Sequence, residues 1–380
     1  MFANPAVPLV GKQGTVHEFN RWQSRVRGLP EFEGDLPVAV LAEEILTPGD
    51  GQIHGLITNA GNPVLSTPNG RQLEEAIGQL EFYVALDIYI NETTKHADLI
   101  LPSPSGLETN HYDFVFNALS VRNVAKYSPQ IFQPESGSKY DWEIMKEISL
   151  RLMPKGNWFK KKLLGWITPD RMLDLGLKTG PFGWFKKGLS LAKLKANPHG
   201  VDLGPLTSML PKQLRTPDKK IDAAPAIYVQ HLAELKTDVP LENNGSDQFQ
   251  LIGRRHVRSN NSWMHNSPRL VKGDNRCTLM MHGEDAERLN LDTGQMITVS
   301  SEVGSVIVPL EVTQDIMPGV VSLPHGYGHN RKGTKLGVAE KHAGVSINDL
   351  TSDSVVDPLT GNAAFSGQIV SVSSNSEVAV

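Results

Sequence analysis

Between Gly55 and Pro102 short apolar runs alternate with helical spacing, and this rhythm limits the fold more than any other feature of the chain. Gly55-Leu56-Ile57-Thr58 reads as a strand, followed by the turn Asn59-Ala60-Gly61-Asn62-Pro63. Thr67-Pro68 supplies an N-cap and a first helical residue, and Leu73, Ile77 and Leu80 line one face of the next helix. Phe82-Tyr83-Val84-Ala85-Leu86 is a second strand ending at Asp87. Asn91 caps a short helix through Ala97, and Leu99-Ile100-Leu101 is a third strand stopped by Pro102. Apolar strands separated by helices predict a parallel sheet covered on both faces.

A chain of 380 residues exceeds one ordinary core, so a second domain is expected. Asp141 opens a helical pattern through Ile144, Ile148 and Leu152 that Pro154 closes. From Lys155 to Asn244 basic-aromatic clusters (Trp158-Phe159-Lys160-Lys161-Lys162 and Trp184-Phe185-Lys186-Lys187) alternate with Gly and Pro, and Thr168-Pro169-Asp170 starts a short helix. Leu241-Glu242-Asn243-Asn244-Gly245 reads as a boundary. Beyond it come short strands: Phe249–Ile252, Met296–Val299, the alternating Val306, Val308, Leu310 and Val312, Val320–Leu323 and Gln368–Val372. A short helix, Glu284 to Leu289, lies among them. The expected division is α/β over 1–154, a linker or embellishment with short helices over 155–244, and a β-barrel or sandwich over 245–380.

Composition closes off several function classes. A single Cys277 cannot form an intramolecular disulfide, a Cys-rich zinc site or an iron–sulfur cluster. The net charge of −4 gives no basic field for nucleic acid. No run approaches a membrane span, and Met1–Pro8 lacks the charged start of a signal peptide, so a cytoplasmic protein is expected.

Three stretches carry candidate chemistry. The Asn59–Pro63 loop and Asp87 fall past the carboxyl ends of neighbouring parallel strands, the edge where α/β sheets bind ligands. Asn62 can donate and accept, and Asp87 can accept from the N–H groups of a sugar or base; equally, both could merely end strands and cap helices. From Gly253 to Asn266 there are three Arg, two His, three Asn and two Ser around Trp263, a donor-rich stretch suited to an anionic heterocycle, or else a solvated basic loop. His325 and His329 stand at i and i+4, but interleaved glycines favour a loop over a metal pair. Gly328–Lys335 has P-loop glycine spacing with Thr before Lys, the wrong order for phosphate and Mg²⁺. The lysine-aromatic clusters read as lysine stems over a local aromatic core, or as a membrane-surface or partner contact. No nucleophile–base set, carboxylate pair or metal cage emerges from spacing.

Taken together, Asn59–Pro63, Val84–Asp87 running into Glu92–Pro102, Ile252–Arg255, Pro324–His329, Ser346–Thr351 and Val356–Gly361 resemble signature blocks of the molybdopterin oxidoreductases. These are the formate dehydrogenases, nitrate reductases and dimethyl sulfoxide reductases. The likeness runs from about Gly51 to Val372 and, lacking the family's Cys-rich segment and metal ligand, resembles its carboxyl-terminal half only. It implies a Rossmann-like parallel-sheet domain followed by a double-psi β-barrel gripping molybdopterin guanine dinucleotide, with molybdenum or tungsten ligated outside this chain. On that resemblance Asn62, Asp87 and Asp141 would serve the guanosine end. Gly253, Arg254, Arg255, His256, Ser259, Asn260 and Asn261 would wrap pterin and diphosphate, and Asn348 would add a contact. It further implies a truncated product, a gene fragment or one half of a split enzyme, inactive alone, whose complete form acts on a small-molecule substrate. The missing amino-terminal half or an electron-transfer subunit would be its partner. The alternative is a non-catalytic partner-binding protein or a fragment without cofactor.

Overall fold

The structure, a computed structural model, describes residue 6 and residues 19–184, 187–212, 214, 216–235 and 247–375. Most of the Met1–Pro8 start, Phe185 and Lys186 of the second basic-aromatic cluster, and the Leu241–Gly245 boundary lie outside the described residues. The chain forms two compact units. Met1–Thr15 and Pro102–Leu235 make one, Val16–Leu101 and Lys236–Val380 the other.

In the first segment of the larger unit, β1 (Phe19–Gln23) and β2 (Pro30–Phe32) form an antiparallel pair. After α1 (Leu41–Leu46) come β3 (Gly55–Asn59), α2 (Pro63–Ser66), α3 (Gly70–Ile77), β4 (Phe82–Leu86) and β5 (Leu99–Ile100). The three strands make the expected parallel sheet in the order β3-β4-β5. Its covering differs from expectation. Ile45, Val64, Leu73 and Ile77 from the three helices pack with Tyr83 and Ala85 on one face. On the other, the central strand buries Val84 and Leu86 while Ile57, Phe82 and Leu99 are exposed, so that face is covered only in part. An apolar run states that a strand wants burial; it does not state whether a second layer is supplied.

The helix cap also moves. Thr67 donates its hydroxyl to the Pro63 carbonyl and so ends α2. Asn69, in the left-handed region at φ 50°, caps α3 by accepting from the Gln72 N–H. Asn91 does cap, through Oδ1 to the Thr93 and Thr94 N–H groups, but a single 3₁₀ turn (Thr94–His96) follows.

The smaller unit holds two antiparallel pairs, β6 (His111–Tyr112) with β8 (Tyr127–Ser128) and β7 (Asn123–Ala125) with β9 (Val201–Gly204). Its helices are α4 (Asp141–Leu152), α5 (Trp158–Trp166), α6 (Pro169–Thr179), α7 (Leu191–Lys195) and α8 (Ala226–Leu235). Thr168 caps α6 as its sequence suggests. Leu177, Leu189, Leu194 and Leu203 close a core around Ala125 and Tyr127, so the stretch after residue 155 packs with residues 102–154. No residue of α5 is buried, and Trp158, Phe159, Trp166 and Trp184 are exposed. Among the described residues of the two clusters, α5 has no aromatic core beneath its lysines, whereas Lys187 lies 5.9 Å from the centroid of the partly buried Phe182 ring.

The second segment of the larger unit is a closed barrel of β10 (Gln248–Arg254), β11 (Leu279–His282), β12 (Met296–Ser300), β13 (Ser305–Thr313), β14 (Val320–Pro324) and β15 (Gln368–Ser374). The order is β10-β14-β11-β13-β12-β15, with β15 returning to β10. Two parallel pairs, β10 with β14 and β11 with β13, sit among antiparallel neighbours, a mixed double-psi-like arrangement. Alternate residues fill it: Phe249 and Leu251, Leu279 and Met281, Val308 and Leu310, Val321 and Leu323. The helix α9 (Gly283–Leu289) follows β11, a strand whose Leu279/Met281 alternation was legible yet passed over.

Candidate functional site

The loop after β3 turns on Ala60, whose φ of 50° is unusual for a residue with a side chain. Its N–H donates to the Leu86 carbonyl at the end of β4, which holds Asn62 beside Asp87. Asp87 accepts through Oδ1 from the Ile88 and Tyr89 N–H groups and through Oδ2 from Asn91 Nδ2, so the carboxylate is aimed by its own loop. A cleft opens here within the larger unit. Asn62, Asp87 and Tyr89 line one side, and Ser262, Trp263 and Asn266 from the donor-rich stretch line the other.

Beneath the cleft runs a buried polar chain. Ser259 Oγ meets His265 Nε2 at 2.9 Å, and His265 Nδ1 meets His329 Nε2 at 2.9 Å. His329 Nδ1 then meets Glu92 Oε1 at 2.8 Å. Glu92 Oε2 accepts from Asn62 Nδ2 at 2.7 Å, and Asn62 Oδ1 accepts from the Thr93 hydroxyl at 2.7 Å. Glu92 and Thr93 are fully buried, and His329 is 1% exposed. Burial alone would raise the Glu92 carboxyl, but hydrogen bonds from His329 and Asn62 and the charge of His329 hold it below its usual value. Burial, then the neighbouring His329, pushes His265 down to about 4. His265 is therefore neutral at physiological pH. With His265 neutral, two proton orders satisfy these bonds: Ser259 to His265 to a neutral His329 to Glu92, or a protonated His329 donating both to Glu92 and to His265, which then donates to Ser259.

Glycine at 326 permits the close approach this needs. A Cβ there would fall 2.1 Å from the Asn261 carbonyl oxygen, and φ is +94°. Asn260 and Asn261 are themselves left-handed, at φ 41° and 57°, and bend the stretch back onto Gly326.

The structure distributes the remaining predicted residues unevenly. Arg255, His256, Arg258, Asn260 and Asn261 are exposed at the surface, with Arg255 hydrogen-bonded to Asn261. Gly253 and Arg254 end β10, and the Arg254 guanidinium is turned to the barrel, bonding the Thr278 carbonyl and hydroxyl at 2.8 Å and the Ser322 carbonyl. Asn348 is fully buried; its amide donates to the Leu65 carbonyl and accepts from Thr351, which leaves it a brace away from the cleft. Asp141 belongs to the smaller unit, at the first turn of α4, and its Oδ1 is buried with no hydrogen-bond partner among the described residues. The His325/His329 metal pair is excluded by geometry, because His329 is engaged at both ring nitrogens; no His, Cys, Asp and Glu cluster among the described residues could hold a metal. In the P-loop look-alike, Arg331 pairs with Glu74 and Asp349, and Glu74 also holds Lys95. Burial works against the Glu74 charge, but His96, Lys95 and Arg331 take its carboxyl down to about 2. Cys277 is buried, its thiol pushed up to about 11 by burial, and so is unreactive.

Glu92, Thr93 and Asn91 were missed as site residues, and His265 and His329 were seen without their partners. No local signal could join Glu92 to His329 across 237 positions.

An aimed carboxylate, the exposed Trp263 ring and side-chain amides suit a planar, N–H-bearing heterocycle. A parallel sheet followed by a closed, mixed six-stranded barrel defines the class as an α/β protein with a double-psi-like barrel. Two family models match: molybdopterin oxidoreductase over residues 7–151 and molydopterin dinucleotide binding domain over residues 249–369. The chain belongs to the molybdopterin oxidoreductase family. The restriction of the likeness to a carboxyl-terminal half is thereby corrected, since the matches run from residue 7 to residue 369 and include the oxidoreductase domain itself.

Among curated relatives, the assimilatory nitrate reductase catalytic subunit of Bacillus subtilis is 36% identical over 115 residues, 29% of this chain and 15% of that protein. The F420-dependent formate dehydrogenase subunit alpha of Methanocaldococcus jannaschii is 24% identical over 265 residues, 69% of this chain and 37% of that one. The fold matches acetylene hydratase from Pelobacter acetylenicus with a TM-score of 0.68 at 15% identity, covering 89% of this chain and 46% of that one. The chain thus spans less than half the length of these relatives. Among the described residues no helix is long and apolar enough to cross a membrane.

Proposed function

We propose that the chain binds molybdopterin guanine dinucleotide for a formate dehydrogenase-like molybdenum or tungsten enzyme of the cytoplasm. The observation that carries this is the single cleft shared by the Asn62–Asp87 edge and the Ser262–Asn266 stretch. Asp87 would accept from the guanine N–H groups, and Trp263 would stack on a ring face. Asn62 would act mainly by fixing its loop, since its amide is engaged by Glu92 and Thr93. Arg255, His256, Arg258, Asn260 and Asn261 would meet diphosphate and pterin, with Ser259 and Arg254 holding the stretch in place. Gly253 and Asn348 would act through the backbone and packing, and Asp141 would offer its unpaired oxygen to a nucleotide group. When bound, the cofactor supplies two-electron chemistry at a metal; the protein contributes binding, orientation and electrostatics. In this reading residues 1–154 are the α/β part, 155–244 an embellishment and 245–380 the dinucleotide-binding barrel, the metal being ligated by polypeptide outside the chain.

The test is release of guanine and a fluorescent oxidised pterin from the purified chain, together with titration by guanosine diphosphate. Asp87→Ala is expected to weaken nucleotide binding by about ten- to a hundredfold, the worth of a charge-assisted hydrogen bond. Absence of pterin together with identical guanosine diphosphate binding by the variant would overturn the reading. The chain alone is expected to show no turnover with a dye acceptor.

A further inference from the structure

The helix α5 presents its aromatic residues to solvent, the reverse of what a folded helix ordinarily does. Trp158, Phe159, Leu163 and Trp166 are 71%, 65%, 48% and 56% exposed. At about 100° per residue, these four and Lys162 fall within an arc of roughly 140°. Leu164 and Lys161 lie on the opposite side and are the partly buried ones. From Met153 to Pro169 the sequence holds four lysines and no acid, inside a chain whose net charge is −4. The nearest acids are engaged elsewhere: Glu147 by Arg151, Asp170 by Tyr127 and Lys195, Asp174 by Lys178. Among the described residues no ion pair involves Lys160, Lys161 or Lys162. The Arg171 guanidinium stacks 4.8 Å from the Trp166 ring and adds charge beside the aromatic face.

We propose that this face docks on an anionic membrane surface, its aromatic and leucine side chains entering the headgroup layer while the lysines meet lipid phosphates. Trp, Phe and Leu beside lysine are the composition of interfacial helices, in which flexible stems carry the ammonium groups outward. A protein partner fits less well, because lysine is depleted at the core of protein interfaces and a lone convex helix offers no groove. Nine residues bury little area, so the contact is reversible and salt-sensitive.

The experiment is cosedimentation of the 380-residue chain with vesicles. It should pellet with phosphatidylglycerol–phosphatidylcholine vesicles at low salt, leave them as salt rises, and ignore phosphatidylcholine alone. Changing Lys160, Lys161 and Lys162 to Gln together should reduce partitioning roughly twenty-five-fold, about fivefold each for Lys160 and Lys162, since Lys161 lies on the far side. Trp158→Ser with Trp166→Ser should abolish pelleting at physiological salt while the circular dichroism spectrum stays that of the parent. If the triple variant misfolds, Lys162→Glu alone gives the same reading at smaller amplitude. Failure to pellet, equal binding to neutral vesicles, or self-association that the tryptophan variant removes would each overturn the proposal, the last in favour of a protein interface.

Discussion

The buried polar chain of the larger unit and the α5 face of the smaller one make opposite use of their side chains. The larger one buries an acid, two imidazoles and a serine, yet each of these has a partner within hydrogen-bond distance. The smaller one leaves four aromatic or leucine side chains of one helix in solvent and keeps a shielded carboxylate oxygen unpaired on the next helix back. A satisfied interior polar chain makes a unit rigid and specific about register. Exposed apolar groups and an orphaned acceptor are the marks of surfaces that something else completes. The contrast assigns internal precision to the chain from Ser259 to Glu92 and outward contact to α5.

The sharpest way to break this comparison is to cut the buried chain. His329→Leu leaves the Glu92 carboxylate buried without its imidazole and is expected to cost about 3–5 kcal/mol, read from urea unfolding followed by a probe in the larger unit. An unchanged midpoint would mean that the chain is ornamental. Acid should act next. His265 is held near 4 in the fold against 6.5 unfolded, so the unfolded state takes up the proton first as pH falls. Stability is full above pH 6.5 and declines by about 3 kcal/mol on the way to pH 4. The depressed carboxyls of Glu92 and Glu74 act with the same sign at lower pH, their contribution being lost as pH falls below the unfolded value. A stability profile flat between pH 7 and 4 would contradict this assignment.

A smaller effect sharpens the local reading. Asn69→Ala removes the cap of α3 and should cost about 1 kcal/mol, whereas Thr67→Val should spare that cap. The smallest belongs to the other unit: Trp158→Ser should change stability by no more than about 0.5 kcal/mol, because the ring packs on no core. A large loss would show that the ring is structural after all.

Legibility followed the range of the interaction. The strand Phe82–Leu86, the cap at Thr168 and the alternation Val306, Val308, Leu310 were readable because each depends on neighbours along the chain. The cap at Asn69 was misplaced by two residues because Thr67-Pro68 carries an equally good local signal. Asp87 and the Trp263 stretch were picked out by residue type, but their meeting in one cleft was not derivable from either. Arg254 and Asn348 were singled out as ligand contacts, and their bonds to the Thr278 carbonyl and hydroxyl and to Leu65 and Thr351 follow from no local signal.

By itself the sequence determined most strands of the parallel sheet and the barrel, their order along the chain and the lack of a cysteine ligand set, since periodicity and residue count are properties of the strand of letters. Only the tertiary structure decided that Glu92 should face His329, that one side of the β3-β4-β5 sheet should be covered only in part and that α5 should turn its tryptophans outward. Those outcomes depend on which surfaces meet, and hydrophobic burial, being non-directional, says only that a side chain seeks cover and never from whom.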